Sequence, residues 1–461
     1  MLKCNKPVTA SLALLILLGS VLSGLCFVSA HGSNGHPQQW EQYYGDGYIG
    51  DTVRCLLQTS DGRYAFAASN THYSILRIPP SILLFKINSL GIVEWQKQFD
   101  GSATVAGLVQ TSDEGYVFAG AITSLAGATQ GGTELIKVDS NGNIQWNHTF
   151  PFAGDSSSMV QTRDGGFALA GRADKPLTLG SLANIWFIKT DSAGEVQWNT
   201  TFQEKLGGGE GGLSQVIQSS DGNYAIVGYT YSENASTESA TLMLLKISSS
   251  GKMLWKETYD SGISNWGDKS IVQTSDGGYV LTDNTGASGT PTAIKTDENG
   301  VVQWTKTYIN TSEKNHIIST IGSLNSVILT SDGGLAFAGD SNFGQIWVVK
   351  MDASGNVQWN QTYGDRDQYG YSGTCLIESN DGSILLGGNW QYRSSNIHYY
   401  LTKIQASLPL PTPSPSPPLA SPSPTSLVLM PLESNVFLLA ALVIILTAAI
   451  VGLIIFFRKK K

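Results

Sequence analysis

One phrase occurs seven times in this chain, and it constrains the fold more than any other feature. Its clearest copy is VQTSDGGYVLTDN, a variable stretch, then AIKTDENGVVQWTKTY, from Val272 to Tyr308. A turn aspartate recurs at Asp61, Asp113, Asp164, Asp221, Asp276, Asp332 and Asp381. A tryptophan recurs at Trp40, Trp95, Trp146, Trp198, Trp255, Trp304 and Trp359. Successive copies lie 49 to 57 residues apart, longer than a WD-repeat and near a kelch unit.

Each copy reads as four strands. Strand a is VRCLLQT-like and ends at an SDG turn, and strand b is GYVFAG-like. Strand c is IWVVK-like and ends at a DSNG or DASG turn, and strand d is NIQWNHTF-like. Short turns of Gly, Asn and Asp are what tight hairpins require. In strand d, Ile144, Trp146 and Phe150 share one parity and Gln145, Asn147 and Thr149 the other, as in an outer strand with one wet face. In strand c both parities are apolar (Leu135 and Ile136; Phe187 and Ile188), as in a strand buried between two sheets. Four-stranded units repeated radially make a β-propeller. The expected fold is therefore all-β, with seven four-stranded blades.

The two ends of the repeat fit together. The seventh copy supplies strands a, b and c, ending at Tyr399 to Gln405, and has no Trp strand after it. An orphan Trp strand, Trp40 to Tyr44, stands at the other end of the chain. The expectation is that this N-terminal strand joins the last blade and closes the ring. An open solenoid needs caps at both ends and has no use for such a permutation.

The flanks read as addresses. Residues 1–30 have the pattern of a signal peptide: Lys3 and Lys6, an apolar run, then Val28-Ser29-Ala30. A leader, 31–38, precedes the propeller, 39–406. Residues 407–435 contain LPTPSPSPPLASPSPTSLVLMP, a Pro/Ser-rich stalk that cannot bury a core. Val436 to Phe457 are 22 residues without a charge, enough for a transmembrane helix. The basic tail Arg458 to Lys461 favours the cytoplasmic side. The expected localisation is the cell membrane, single-pass, with the propeller outside.

Charge bounds the partners. The chain has 28 basic and 36 acidic side chains; two of the basic ones lie in 1–30 and four in 436–461, which leaves 22 against 36, a net charge of −14. That acidity argues against nucleic acid as a partner and suits a soluble body in a salty exterior. Removal of the signal leaves two cysteines, Cys55 and Cys375, at equivalent positions in the first and last copies. A disulfide between them and a pair of buried free thiols are both open.

The lysines Lys86, Lys137, Lys189, Lys246, Lys295, Lys350 and Lys403 recur near the end of strand c, at the same blade end as the turn aspartates. A Lys on an apolar strand face is costly unless paired. A Lys–Asp bridge within or between blades is therefore expected, with a charged ring serving a ligand as the alternative. The recurrent Trp is expected to pack blades rather than stack on a ligand.

The pattern QTSDGGY followed by KxDxxGxxxW resembles the repeats of secreted and surface-anchored β-propeller proteins of bacteria and archaea. That largely uncharacterised set is grouped with the quinoprotein-dehydrogenase-like propellers. The resemblance covers residues 39–406 and implies the propeller. Quinoprotein blades carry Thr-Gly before the Trp strand, whereas DSNGNIQW (Asp139 to Trp146) is one residue shorter and lacks that Thr. No quinone is implied, and no cofactor is expected. TSDEGYVF (Thr111 to Phe118) also resembles the Asp-box turn of sialidases, which is structural in those enzymes. Their chemistry needs an arginine cluster, and the seven arginines between the signal and the anchor are scattered.

Function is expected on the face opposite the short turns, where the b–c and d–a connections vary. The candidate binding residues there are Trp266, His316, Asp365, Asp367, Trp390, Tyr392 and Arg393. Exposed aromatics beside Arg and Asp suit a sugar ring or a protein partner; filling the channel mouth is the alternative. No HExxH, GxSxG or Cys-His ligand spacing occurs, so no catalytic residue is assigned. Asp365-Arg366-Asp367 is too short a run for Ca²⁺, so no metal site is assigned either. The sequons Asn147, Asn199, Asn234, Asn310 and Asn360 are glycosylation candidates. The leading expectation is non-enzymatic binding of a glycan, envelope polymer or protein. A polysaccharide-active enzyme and a structural envelope component are the rivals.

Overall fold

The computed structural model describes residues 38–45, 52–70, 80–122, 132–151, 155–172, 182–205, 212–231, 240–264, 269–285, 290–308, 323–341, 344–364, 370–392 and 396–405. The segments read as signal peptide, stalk and membrane helix lie outside them. Among the described residues no helix is long and apolar enough to cross a membrane.

The described residues form seven antiparallel four-stranded sheets, a seven-bladed β-propeller. Blade 1 is Thr52–Gln58, Tyr64–Asn70, Ser81–Ile87 and Val93–Asp100, as strands a to d. Blade 2 is Ser102–Gln110, Tyr116–Ile122, Gly132–Val138 and Ile144–Phe150; blade 3 is Asp155–Gln161, Phe167–Arg172, Leu182–Thr190 and Val196–Lys205. Blade 4 is Leu213–Gln218, Tyr224–Tyr231, Ala240–Ile247 and Met253–Ser264; blade 5 is Ile271–Gln273, Tyr279–Thr285, Thr290–Thr296 and Val302–Thr307. Blade 6 is Ser323–Leu329, Leu335–Asp340, Ile346–Met351 and Val357–Tyr363. Blade 7 takes strands a to c from Tyr371–Glu378, Ile384–Tyr392 and Asn396–Ile404, and its outer strand is Gln38–Tyr44.

That outer strand sits in the register of the other six. Trp40 lies opposite Lys403, as Trp95 does opposite Lys86, Trp146 opposite Lys137 and Trp198 opposite Lys189. In every blade one extra residue, immediately before the Trp, is squeezed into strand d: Gln39, Glu94, Gln145, Gln197, Leu254, Gln303 and Gln358. Such a bulge bends the edge strand and increases its twist.

Burial follows from parity. Tyr64, Phe66 and Ala68 of strand b pack on Leu385 and Tyr399 of blade 7. Ala65 and Ala67, on the other face, pack with Val105 and Tyr116 of blade 2. Strand c of blade 1 is buried along its whole length. Strand d of blades 1 and 2 alternates instead, with its wet face out.

The seam between blades has one recurrent contact. The glycine of each c–d turn, at φ 75° to 85°, lies against the Trp of the preceding blade. Left-handed φ already favours glycine there. An added Cβ would also stand 2.9–3.1 Å from an indole carbon at Gly91 (Trp40), Gly142 (Trp95), Gly194 (Trp146), Gly251 (Trp198), Gly300 (Trp255) and Gly355 (Trp304). Trp40 Nε1 donates to Ser89 O at 2.9 Å. The hydroxyls of Tyr44, Tyr259 and Tyr308 donate to the turn carbonyls of Gly91, Gly300 and Gly355. Tyr363 of blade 6 holds the equivalent position, but blade 7 has no c–d hairpin to meet it. Its buried hydroxyl has no hydrogen-bond partner among the described residues.

The a–b turns show the opposite case. Gly62, Gly222, Gly333 and Gly382 have positive φ with nothing within 4 Å of an added Cβ. Blade 2 carries Glu114 there, at φ 64°. Glu114→Gly is expected to raise stability by about 1 kcal/mol by removing left-handed strain. Gly62→Ala should cost about 1 kcal/mol for the same reason. Gly91→Ala should cost about 2–4 kcal/mol, because strain and the Trp40 clash add. Urea unfolding of the three variants checks the order.

Candidate functional site

The two ends of the propeller differ in how their side chains are used. At the turn end, each strand-c lysine reaches the a–b turn aspartate of its own blade. The seven Nζ–carboxylate distances run from 2.7 to 3.0 Å. The lysines are 3–8% exposed, whereas the aspartate side chains are 36–54% exposed. The ammonium is thus the buried partner, its stem running along the strand beside the Trp. It also donates to the backbone carbonyl of Thr190, Thr296 or Met351 and to the bulge glutamine Gln197, Gln303 or Gln358.

The aspartates answer to that geometry. At Asp113 the Lys137 ammonium, then the Thr111 hydroxyl, holds the carboxyl at about 2. At Asp61, Asp164, Asp276 and Asp332 desolvation opposes ionisation. Lys and Thr donors outweigh it and hold these groups at about 2. Asp221 and Asp381 are also lowered: desolvation opposes ionisation there, and their backbone and Lys donors outweigh it.

Glutamines stitch the turns of neighbouring blades at the same end. Asn380 N donates to Gln58, Ser60 N to Gln110, Arg163 N to Gln218 and Ser220 N to Gln273. A shallow recess of about 480 Å³ lies there, between Leu57, Leu108, Asn380 and two of these amides, Gln58 and Gln110. Both of these amides already accept a backbone N–H from a neighbouring blade.

At the loop end the blades diverge. The sixth residue of strand b accepts a backbone N–H from the next blade through Ser69, Asn284, Asp340 and Asn389. Asp340 is half-buried, and desolvation raises its pKa against hydrogen bonds from Ser323, Ser372, Gly373 and Asn325. The preceding position is Gly or Ala in six blades and Asp283 in blade 5. At Gly228, Gly339 and Gly388 an added Cβ would meet a carbonyl in strand a or just before it at 1.7–2.0 Å. Strand a of blade 5 begins later, at Ile271. There Asp283 meets Lys269 at 2.9 Å, both side chains fully buried.

Blade 7 carries an aromatic group at its loop end. Trp390 of strand b stacks on His398 of strand c, with centroids 5.3 Å apart and planes at 28°. Tyr43 of strand d meets Trp390 edge-on at 5.0 Å and Tyr400 at 5.3 Å. Tyr400 donates to Glu41 Oε2 at 3.2 Å. Tyr43 remains 42% exposed.

Of the sequence-predicted binding residues, Trp390 belongs to this group and Tyr392 ends strand b, opposite Asn396. Trp266, His316, Asp365, Asp367 and Arg393 lie outside the described residues, as do Asn234 and Asn310. Asn147, Asn199 and Asn360 are exposed on the outer strands. Cys55 and Cys375 are free thiols in different seams, Cys55 with blade 2 and Cys375 beside Val53 of blade 1. Burial pushes both thiols up to about 12. No cluster of three or more His, Cys, Asp or Glu fit to hold a metal occurs among the described residues.

Sequence reasoning missed Tyr43, His398, Tyr400, Lys269, Asp283 and Asp340. A strand-by-strand comparison of the seven copies carries the signal for two of them. Tyr43 stands where the other blades have Gln98, Thr149, Thr201, Thr258, Thr307 and Thr362, and Asp283 stands among glycines and alanines.

No family model matches the chain, and no curated protein matches it. Among solved structures it is similar to a protein of unknown function from Bacteroides caccae, at 13% identity and TM-score 0.41, over 69% of this chain and 94% of that one. It is similar to a protein of unknown function from Dyadobacter fermentans, at 10% identity and TM-score 0.45, over 81% and 100%. It is also similar to the polysaccharide lyase Uly1, at 12% identity and TM-score 0.49, over 82% and 94%.

Two outcomes follow from the turn-end bridges. Asp276→Asn strands a buried ammonium and should cost about 1–3 kcal/mol. Lys295→Met leaves a half-exposed carboxylate to water and should cost about 1 kcal/mol or less. Chemical denaturation that reverses this order refutes the buried-lysine account. The second outcome is a pH profile. The folded pKa values of about 2 lie below the unfolded value of about 3.9. The bridges' contribution is therefore complete above about pH 4 and lost as pH falls through about 2. Asp340, raised, works the other way, the one carboxylate among the described residues that does. Melting temperature should fall steeply only below about pH 4.

Proposed function

We propose that this chain is a cell-surface binding protein. The propeller, its ring shut by the N-terminal strand, is anchored through the Pro/Ser stalk and the Val436–Phe457 helix. It recognises a glycan, envelope polymer or protein through its loop end without transforming it. Asn147, Asn199 and Asn360 are glycan acceptors on its solvent face. No cofactor and no nucleic acid take part.

One observation carries this reading: the contrast between the two ends. At the turn end the same Asp, Lys, Trp and Gly are consumed in holding the ring together, blade after blade. At the loop end the positions change chemistry from blade to blade. Both ends of the described propeller, Gln38 and Ile404, lie at the turn end, since they begin strand d and finish strand c of blade 7. The loop end is left clear of them.

The rival reading needs two carboxylates converging on one point, one as acid and one as base or nucleophile. Alternation along strand b places them otherwise. Asp283 shares the parity of Tyr279 and Leu281, which pack toward blade 4. Asp340 bonds Gly373 of blade 7. Among the described residues, the buried Asp283 and the half-buried Asp340 face away from one another, with blades 5 and 6 between them, and each is already occupied. Binding fits this arrangement better than acid–base hydrolysis does.

The test uses the full chain in detergent micelles, applied to a glycan array and to solubilised envelope material. Replacing 309–322, 365–369 or 393–395 with Gly-Ser linkers should abolish capture, while the turn-end variant Lys295→Met should keep it. Capture that survives all three replacements, or release of new reducing or unsaturated ends from a polysaccharide, would overturn the reading.

A further inference from the structure

We infer that the loop end of blade 7 is a stacking platform for a pyranose ring, neutral or amino-bearing, with Tyr43 as its outermost ring. This deepens the binding reading above and rests on it.

The first ground is position. Strand d is the outer edge strand, and its out-facing positions are wet in the repeat. Five blades place Thr where Tyr43 stands and one places Gln98. A large aromatic with 42% of its surface in water is out of keeping with an edge designed to be polar, and blades 1 to 6 fold without one there.

The second ground is construction. Tyr43, Tyr400 and Gly388 lie in one cross-strand row, and Trp390 and His398 in the next. Gly388 has no side chain, and an added Cβ would meet Ser372 O at 1.9 Å. The Tyr43 ring leans across Tyr400 onto Trp390, two strands away. The Tyr400 hydroxyl is tied to Glu41, which fixes the ring beneath. Rings locked by neighbours present a surface at little entropic cost on binding.

The third ground is chemistry. A pyranose offers a C–H face to an aromatic ring and hydroxyls around its rim. Here the two rings that Tyr43 touches bring polar groups with them: Tyr400 carries the Glu41 carboxylate on its hydroxyl, and Trp390 carries the His398 imidazole stacked on it. The side chains between signal and anchor carry a net charge of −14, which repels uronate or sulfated polymers and tolerates neutral or cationic sugars.

The experiment uses the full chain in detergent micelles, with cellotetraose, mannotetraose and a chitosan tetramer as probes and tetragalacturonate as the acidic control. Tryptophan fluorescence and pull-down on the matching polymers read binding. At least one neutral or amino probe should bind saturably, and the galacturonate should not. Tyr43→Thr, the residue of five other blades, should weaken binding about tenfold or more with an unchanged melting temperature, and Tyr43→Trp should retain it. Wild-type binding to none of the probes, or to galacturonate alone, would overturn the platform. So would undiminished binding by Tyr43→Thr. If that variant binds normally while the linker replacements do not, the platform falls and the loop-end reading stands. If only capture of a protein depends on Tyr43, the pyranose assignment falls.

Discussion

Six of the seven blade Trp residues lie on the turn glycine of the next blade, and most of the structure is arranged to make that contact possible. The glycine supplies a left-handed turn and the absence of a Cβ in one residue. The bulge before the Trp bends the edge strand at the point where the indole crosses the seam. The Lys opposite the Trp anchors the strand end from the other side, through its bridge to the a–b turn. Six such seams are described, and one of them, Trp40 on Gly91, brings the outer strand of blade 7 onto blade 1. The hydrophobic gain at each seam is local, but every seam depends on its two neighbours holding their angle. Strain at one turn, as at Glu114, is tolerable because the sheets on either side fix the backbone.

The recurrent ion pair inverts the usual picture of a surface bridge. An exposed pair adds little, because both groups are content in water. Here one partner is buried and the other is not. The carboxylate is less a source of attraction than a condition for burying the lysine stem between sheets. That explains why the ammonium gathers further acceptors where the backbone offers them. It also explains why the turn aspartate is never exchanged for Asn or Ser in any copy.

The fold was legible in the sequence because everything that defines it obeys the period. Turn residues, strand parity and the split seventh copy all repeat, and repetition averages out local ambiguity. The pairing of Gln38–Tyr44 with Asn396–Ile404 could be anticipated from Trp40 alone. What escaped notice has one physical character: it exists between blades or breaks the period. The Trp–Gly seam, the Asn284 and Asn389 acceptors and the glutamine stitches join residues 40 or more apart that no single blade displays together. Asp283 and Tyr43 are deviations, and a reading tuned to sameness passes over them. Five of the seven residues nominated on the variable connections fall outside the described residues.

Deviation is also where function has room. Among blades built on one plan, a side chain that serves every seam recurs, so a side chain that does not recur serves either one seam or something outside the fold. The converse filter is parity. Asp283 is a deviation, but its face of strand b is turned into a seam and its carboxylate is matched by Lys269, so it compensates for a shortened strand a. Asp340 is a deviation that does a structural job, clamping the first residues of blade 7. Tyr43 passes the first; its row faces blade 6, where Tyr400 is buried, yet on the edge strand the ring keeps 42% of its surface exposed. It does not recur, and the strand that carries it has no further sheet beyond its outer edge. A propeller that keeps its turn end uniform can vary such edge positions one blade at a time, because a change there leaves every Trp–Gly seam intact.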